Sequence, residues 1–295
     1  MRSTNTKSSA NNTNSAKNKT KSVIPGFGLT LGITVTMLSL LILLPLASVL
    51  AYSLNLSFSE FAKLITQKNV LQAFATSITC AFWAALINCI FGLLLAWILE
   101  RYDFFGKKLI DGMIELPFAL PTAVAGITLA KMYSDQGTAG QFLNRLGIQG
   151  SYSRVGLTIA LVFVGIPFVV RSVQPVLQKL PTDCEEAAEM LGASRGYTFR
   201  RVILPELLPA LLTGFGLALA RGIGEYGSVI YISGNSAKNG TQVVSYLIMQ
   251  KLNSGSADYA SAAAISLVLL VISFLLLFVL NLLQMAATRR TRTGG

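Results

Sequence analysis

Long apolar runs alternate with polar segments along most of the chain. A helix needs about 20 mostly apolar residues to cross a bilayer. Six runs meet this requirement: 28–51, 76–99, 113–133, 156–176, 207–232 and 260–283. They are predicted to be connected by the polar segments 53–75, 100–112, 134–155, 177–206 and 233–259. The pattern therefore predicts an all-α membrane protein with six transmembrane helices.

The two ends of the chain depart from this pattern. Residues 1–24 are mostly Asn, Ser, Thr and Lys, which are too polar to bury a core, so we expect a disordered tail. The apolar run that follows is too long for the core of a signal peptide. We expect a retained first helix with an external loop over 25–70, a larger membrane domain over 71–284 and a C-terminal tail over 285–295.

Cationic residues fall mainly on one side of the predicted membrane. The N-terminal tail, segment 100–112, the stretch from Arg171 to residue 206 and the C-terminal tail carry 16 of the 24 Lys and Arg residues. The opposite side carries 7, and Arg221 lies within a span. Cytoplasmic loops of membrane proteins carry an excess of Lys and Arg. Both termini are therefore predicted to be cytoplasmic. An even number of spans likewise requires that the two termini lie on the same side.

Composition narrows the class of function further. The chain is 53% hydrophobic and 13% charged, whereas a soluble domain is about 25% charged, so the cationic excess indicates topology rather than nucleic-acid binding. His is absent, and the three cysteines (Cys80, Cys89 and Cys184) are too few for a disulfide framework or a cysteine zinc site, so we interpret them as inert. No P-loop sequence occurs, so the chain is not expected to bind ATP phosphates itself.

The polar segment before the fifth span contains a predicted helical hairpin. Thr182 and Glu185 have the spacing of a capping box, which predicts a short helix from about residue 183 to Gly192, a residue suited to a helix C-terminus. A second helical stretch is predicted from Tyr197 to Ile203. On pattern alone this hairpin is either an ordinary linker or a docking element.

The residues of this hairpin resemble the EAA loop of type I ABC importer permeases, EAA-x3-G-x9-I-x-L-P. The matching positions are Glu186, Ala187, Ala188, Gly192, Leu204 and Pro205, with Val202 where Ile is usual. The resemblance implies the type I permease fold, with segment 181–205 as the helix that couples to a separate ATPase subunit. It also implies that residues 71–284 form the permease domain.

Three further segments resemble sulfate/thiosulfate permease subunits of the CysT type: 116–126, 166–171 and 221–227. That family implies a second, CysW-like permease subunit, two CysA-like ATP-binding subunits and an external sulfate- or thiosulfate-binding protein. It implies no cofactor on this chain, because ATP and Mg²⁺ belong to the partner ATPase, and no nucleic-acid partner. The implied location is the cell inner membrane, or a plastid membrane if the source is an alga.

Arg221 and Glu225 lie near the middle of the predicted fifth span, at a spacing that places them on one helical face. An unpaired Arg at the bilayer centre costs roughly 2.5–3.5 kcal/mol on insertion scales, so we expect the two side chains to pair. Two roles remain open. Arg221 attracts a dianion in a translocation pathway, or the pair holds the fifth helix against its neighbours.

The same segment contains Gly222-x-Gly224-x-x-Gly227, which matches the dinucleotide-binding string. That string requires a preceding strand in a soluble domain, so we interpret these glycines, with Gly214 and Gly216, as sites of close helix approach. Prolines also interrupt the third and fourth spans, where either cavity lining or irregular packing accounts for them. They are Pro117, Pro121, Pro167 and Pro175.

Two rival functions remain after the resemblance. A permease subunit for molybdate or tungstate is similar in these segments. An ion-coupled secondary anion transporter belongs to a different class, and it typically has inverted repeats with paired broken helices and acidic or His relays in the membrane. No second copy of the Arg221–Gly227 pattern occurs in the sequence. The sequence therefore favours the ATP-driven importer.

Overall fold

The computed structural model describes residues 27–254 and 258–293, with side chains through residue 287, and the regular secondary structure in these ranges is all helical. The helices are α1 (Phe27–Ser53), α2 (Phe58–Ile65), α3 (Lys68–Arg101), α4 (Lys107–Ile114), α5 (Leu116–Ala119), α6 (Thr122–Met132), α7 (Thr138–Arg145), α8 (Arg154–Lys179), α9 (Asp183–Met190), α10 (Arg195–Thr198), α11 (Leu204–Ile223), α12 (Val229–Ile232), α13 (Val244–Leu252) and α14 (Tyr259–Thr293). A π-helical segment, Phe199–Ile203, joins α10 to α11. The predicted tail over 1–24 lies outside the described residues.

The chain divides after Ser48 into two compact units, the first containing most of α1 and the second all the other helices. Within the described residues, five helical stretches are long and apolar enough to cross a membrane: Phe27–Ser53, Lys68–Arg101, Arg154–Lys179, Arg195–Ile223 and Tyr259–Ala287. The all-α fold is thus confirmed. The predicted third span is not one of the five.

The predicted third span, 113–133, is broken into pieces of α4, α5 and α6. Leu120 is extended, with ψ 138°, and Pro121 follows it with ψ 127°. A residue before proline is pushed away from the helical region, and Pro121 has no N–H to continue a helix. The apolar run is long enough to span, but its longest helical piece is the 11-residue α6.

The predicted fifth span, 207–232, is also interrupted. Helix α11 ends at Ile223, Gly224 follows as its C-cap, and helix resumes only at α12. The fourth span behaves differently, because α8 continues through both of its prolines. Pro117 and Pro167 are buried, whereas Pro121 and Pro175 are exposed.

Helices α3, α8 and α11 pack against one another and form the main core of the second unit. Small residues allow the close approach: a Cβ on Gly214 would lie 2.7 Å from the Cα of Val169, and one on Gly222 would lie 3.2 Å from the Cβ of Ala81. The predicted packing role is confirmed at these two glycines. A Cβ on Gly224 would meet only the carbonyl of Ala220, at 4.0 Å, so that glycine is not a contact point.

Candidate functional site

The predicted hairpin forms between α8 and α11. Helix α9 starts at Asp183 as expected, and Gly192 has a φ of +82°, a left-handed conformation that glycine adopts without steric cost. The prediction of a capping box is wrong, because the backbone of Thr182 has helical φ and ψ angles and its side chain makes no cap hydrogen bond. The carboxylate of Glu185 instead pairs with Arg101, at 2.7 Å.

Helix α9 lies at the surface of the second unit, since none of its residues is buried. Glu186, Ala187 and Gly192 are exposed, and Ala188 is half-buried. At the tip, Met190 and Leu191 expose 89% and 88% of their surface to solvent. These two adjacent apolar side chains are almost fully solvent-accessible on an otherwise polar hairpin.

Met190 and Leu191 were not predicted as site residues. The motif identifies positions by type, and these two lie at its variable positions between Ala188 and Gly192. An apolar pair next to a glycine bend in a polar loop is the sequence signal that indicates them.

The returning arm of the hairpin carries the other two motif residues. The backbone N–H of Leu204 donates a hydrogen bond to the carbonyl of Phe199, five residues earlier. Leu204 is followed by Pro205, which has no N–H to donate. Leu204 and Pro205 are half-buried in the first turn of α11. They therefore fix where the hairpin re-enters the helical core, while Glu186 to Gly192 form its exposed end.

The predicted pairing of Arg221 with Glu225 is confirmed, and their side chains form an ion pair. They do not share a helical face, because α11 ends at Ile223 and Glu225 lies beyond it. The Glu225 carboxylate is buried, with 1% of its side chain exposed, and it also accepts hydrogen bonds from the backbone N–H and the hydroxyl of Ser228. Arg221 leaves 37% of its side chain exposed.

The breaks in the predicted third and fifth spans lie against each other. A Cβ on Gly227 would overlap the Thr122 side chain, and one on Gly126 would overlap the backbone of Ser228. Helices α6 and α12 pack together here. Irregular backbone at membrane depth is tolerated where it is packed against protein or lines a water-filled cavity, and this contact supplies such packing.

A separate cluster of charges surrounds Arg171, in the C-terminal half of α8. Its guanidinium bonds to Asp111 and Glu115, each at 2.7 Å, and to Gln174 at 2.6 Å. Gln174 in turn donates to Glu100, at 3.1 Å. The hydrogen bond from Arg171 lowers the pKa of Asp111, so this carboxylate stays ionised at neutral pH. The cluster ties α4 to α8 and α3.

The sequence-predicted residues thus fall into two groups that the structure does not bring together. Leu204 and Arg221 lie near opposite ends of α11, and a rise of about 1.5 Å per residue separates them by roughly 25 Å. In the described part of the chain, no group of His, Cys, Asp and Glu side chains is placed to hold a metal ion. The site combines an exposed hairpin with a charge pair at a break between helices.

Comparison with known proteins places these features in context. Residues 89–293 match the family described as "Binding-protein-dependent transport system inner membrane component". The sulfate transport system permease protein CysT of Salmonella typhimurium is 46% identical over 268 residues, which cover 91% of this chain and 96% of that protein. CysT of Synechococcus elongatus is 44% identical over 252 residues, or 85% of this chain and 90% of that one.

The fold is also shared with solved structures. A chain of a bacterial ABC transporter involved in the import of the acidic polysaccharide alginate superposes with a TM-score of 0.70 at 17% identity. The match covers 88% of this chain and 96% of that one. The helical architecture is therefore shared with a chain of that transporter.

Proposed function

This chain belongs to the family of binding-protein-dependent transport system inner membrane components, and from that membership we propose that it is the permease subunit of an ATP-driven importer of sulfate and thiosulfate. The observation that carries the substrate is its identity with CysT proteins over nearly the full length of both chains. Bringing a dianion into a cell against an inside-negative potential costs about 4.6 kcal/mol per 100 mV, twice the single-charge value. Coupling to ATP hydrolysis supplies that free energy.

The proposed topology places both termini and the α9 hairpin in the cytoplasm of a six-span protein, with the broken stretch 113–133 as the third span. The cationic excess on those segments supports it. The proposed location is the cell inner membrane, or the corresponding plastid membrane in an alga.

In the proposed mechanism, α9 docks on a separate ATP-binding subunit that holds ATP and Mg²⁺. The bare side chains of Met190 and Leu191 supply apolar area for that contact, and Glu186 offers an exposed hydrogen-bonding group. We propose a complete importer with a CysW-like permease, two CysA-like ATP-binding subunits and an external sulfate- or thiosulfate-binding protein.

We further propose that Arg221 serves the anion pathway and that Glu225 holds the helix break beside it. Glu225 is buried and bonded to Ser228, whereas Arg221 keeps an open side. A cation partly neutralised by its neighbour attracts a dianion without trapping it, and transport requires such weak binding.

Two experiments test the proposal. A photo-crosslinking residue at Leu191 should capture the ATP-binding subunit. One at Tyr152, which is also exposed (57%, against 88% for Leu191) but lies in the segment proposed to face outside, should not. In a bacterial host whose own CysT is deleted, the chain should restore growth on sulfate as the sole sulfur source. Capture from Tyr152 but not Leu191 contradicts the coupling role, and failure to restore growth contradicts the substrate.

A further inference from the structure

The exposed helix α9 has one strong polar link to the rest of the protein. Glu185, in its first turn, pairs with Arg101 at 2.7 Å, and among the described residues this is the only ion pair that α9 makes. A movement imposed on an exposed helix reaches the membrane core through the backbone at its two ends and through its side-chain contacts. The Arg101–Glu185 pair is therefore a candidate for transmitting such a movement.

Arg101 is well placed for this purpose. It is the last residue of α3, which packs against both α8 and α11. Its guanidinium also donates to the carbonyl of Leu180, at 3.3 Å, at the start of the hairpin. Only 16% of the Arg101 side chain and 28% of the Glu185 side chain are exposed. Partial burial weakens the solvent screening of this pair relative to a fully exposed one.

Aromatic contacts extend the link to the returning arm. The Arg101 guanidinium lies over the Trp97 ring, 5.6 Å from its centroid, and Trp97 meets the Phe199 ring edge-on at 5.7 Å. A cavity of about 510 Å³ separates much of the hairpin from the end of α3. Arg101 reaches across this gap and contacts the outgoing arm, while its Trp97 support contacts the returning arm.

We propose that Arg101 is a positioning residue for coupling: its ion pair with Glu185 and its stacking on Trp97 tie the ATPase-docking helix to α3, so that movement of the docked helix is passed to the membrane core. The inference rests on the proposed function, because it requires an ATPase bound to α9. Neither Arg101 nor Glu185 is one of the EAA motif positions.

The test uses the complete importer in proteoliposomes, with the ATP consumed per sulfate imported as the readout. The variants are Arg101→Gln, Glu185→Gln, Arg101→Lys and the reversed pair Arg101→Glu with Glu185→Arg. Lys107→Gln is the matched control, because it breaks the nearby but exposed Lys107–Asp103 pair. Complex yield and melting temperature are measured in parallel.

Both single neutral variants should raise the ATP consumed per sulfate by roughly tenfold, the scale of coupling between directly contacting residues. Arg101→Lys and the reversed pair should recover part of the coupling, and Lys107→Gln should match wild type. A normal ratio in Arg101→Gln overturns the inference while leaving the proposed function intact. If the single variants fail to assemble, the reversed pair decides: the inference is also overturned when the reversed pair assembles but its ATP consumption per sulfate stays as high as in an uncoupled importer. A wild-type complex that imports no sulfate overturns both proposals.

Discussion

The backbone N–H of Ser228 donates a hydrogen bond of 2.8 Å to the buried carboxylate of Glu225, and the Ser228 hydroxyl adds a second at 3.0 Å. These bonds lie directly beyond the end of α11, where the interrupted helix no longer satisfies its polar groups. The carboxylate therefore organises the turn that carries the chain to α12. Arg221 compensates its charge.

This arrangement predicts unequal effects of neutralising the two partners. Arg221→Gln leaves a buried, uncompensated carboxylate, a loss of about 3–5 kcal/mol. Glu225→Gln leaves a cation that is already 37% exposed, so its loss should be smaller. Thermal melting of the purified complex should therefore rank the single variants, with Arg221→Gln the less stable.

The double variant Arg221→Gln with Glu225→Gln separates structure from transport. It should recover assembly, because no unpaired charge remains, and it should still fail to import sulfate, because the pathway has lost its cation. Arg221→Lys should retain part of the uptake. Full uptake in the double variant contradicts the pathway role of Arg221.

The contact between the two broken spans predicts a size limit at Gly126. Its Cβ would overlap the backbone of Ser228, which cannot rotate away as a side chain would. Gly126→Ala should destabilise the complex by about 1–3 kcal/mol, the usual cost of overpacking. Gly112→Ala is the control, since nothing lies within 4 Å of that position. Equal melting temperatures for the two variants contradict the packing at the breaks.

The bend of the docking hairpin predicts a conformational requirement at Gly192. A Cβ there meets nothing within 4 Å, but the φ of +82° costs an ordinary L-residue about 1–2 kcal/mol. Gly192→Ala should lower uptake and ATPase coupling, and Gly192→Asn should do so less, because Asn tolerates left-handed φ. Gly196→Ala, equally open but without positive φ, should be silent. A silent Gly192→Ala would show that the bend is not required.

The hydrophobic pattern predicted the helices that are continuous, but it missed the breaks within the predicted spans 113–133 and 207–232. Apolar composition reports burial in lipid or protein, whereas breaks depend on backbone chemistry at single positions. The break at Pro121 was predictable from the sequence, because the residue before a proline is disfavoured in a helix, and Leu120 is indeed extended. The end of α11 at Gly224 was not, because glycine also occurs within helices at packing contacts such as Gly214.

The candidate site was also predictable only in part. The motif located the hairpin and its bend at Gly192, since both depend on short-range spacing. Arg101 is 84 residues before its partner Glu185, and no local pattern indicates a contact over that separation. The capping-box spacing pointed to a local role for Glu185, and the long-range ion pair prevailed.

The native cysteines test the orientation. Cys184 is exposed on α9, while Cys80 is buried. In intact cells expressing the chain without its partners, a membrane-impermeant thiol reagent should leave Cys184 unmodified and label a cysteine introduced by Asn144→Cys. Permeabilisation should expose Cys184. Labelling of Cys184 in intact cells would place the hairpin outside and remove it from any cytoplasmic ATPase.

The most direct test is uptake of labelled sulfate by proteoliposomes containing this chain, the second permease, the ATP-binding subunits and the binding protein. ATP is supplied on the side of the ATP-binding subunits, with thiosulfate, molybdate and tungstate as competitors. We predict sulfate uptake that requires hydrolysable ATP, is reduced by thiosulfate and is little affected by molybdate or tungstate. Uptake driven by an ion gradient without ATP, or molybdate competing better than sulfate itself, would contradict the account.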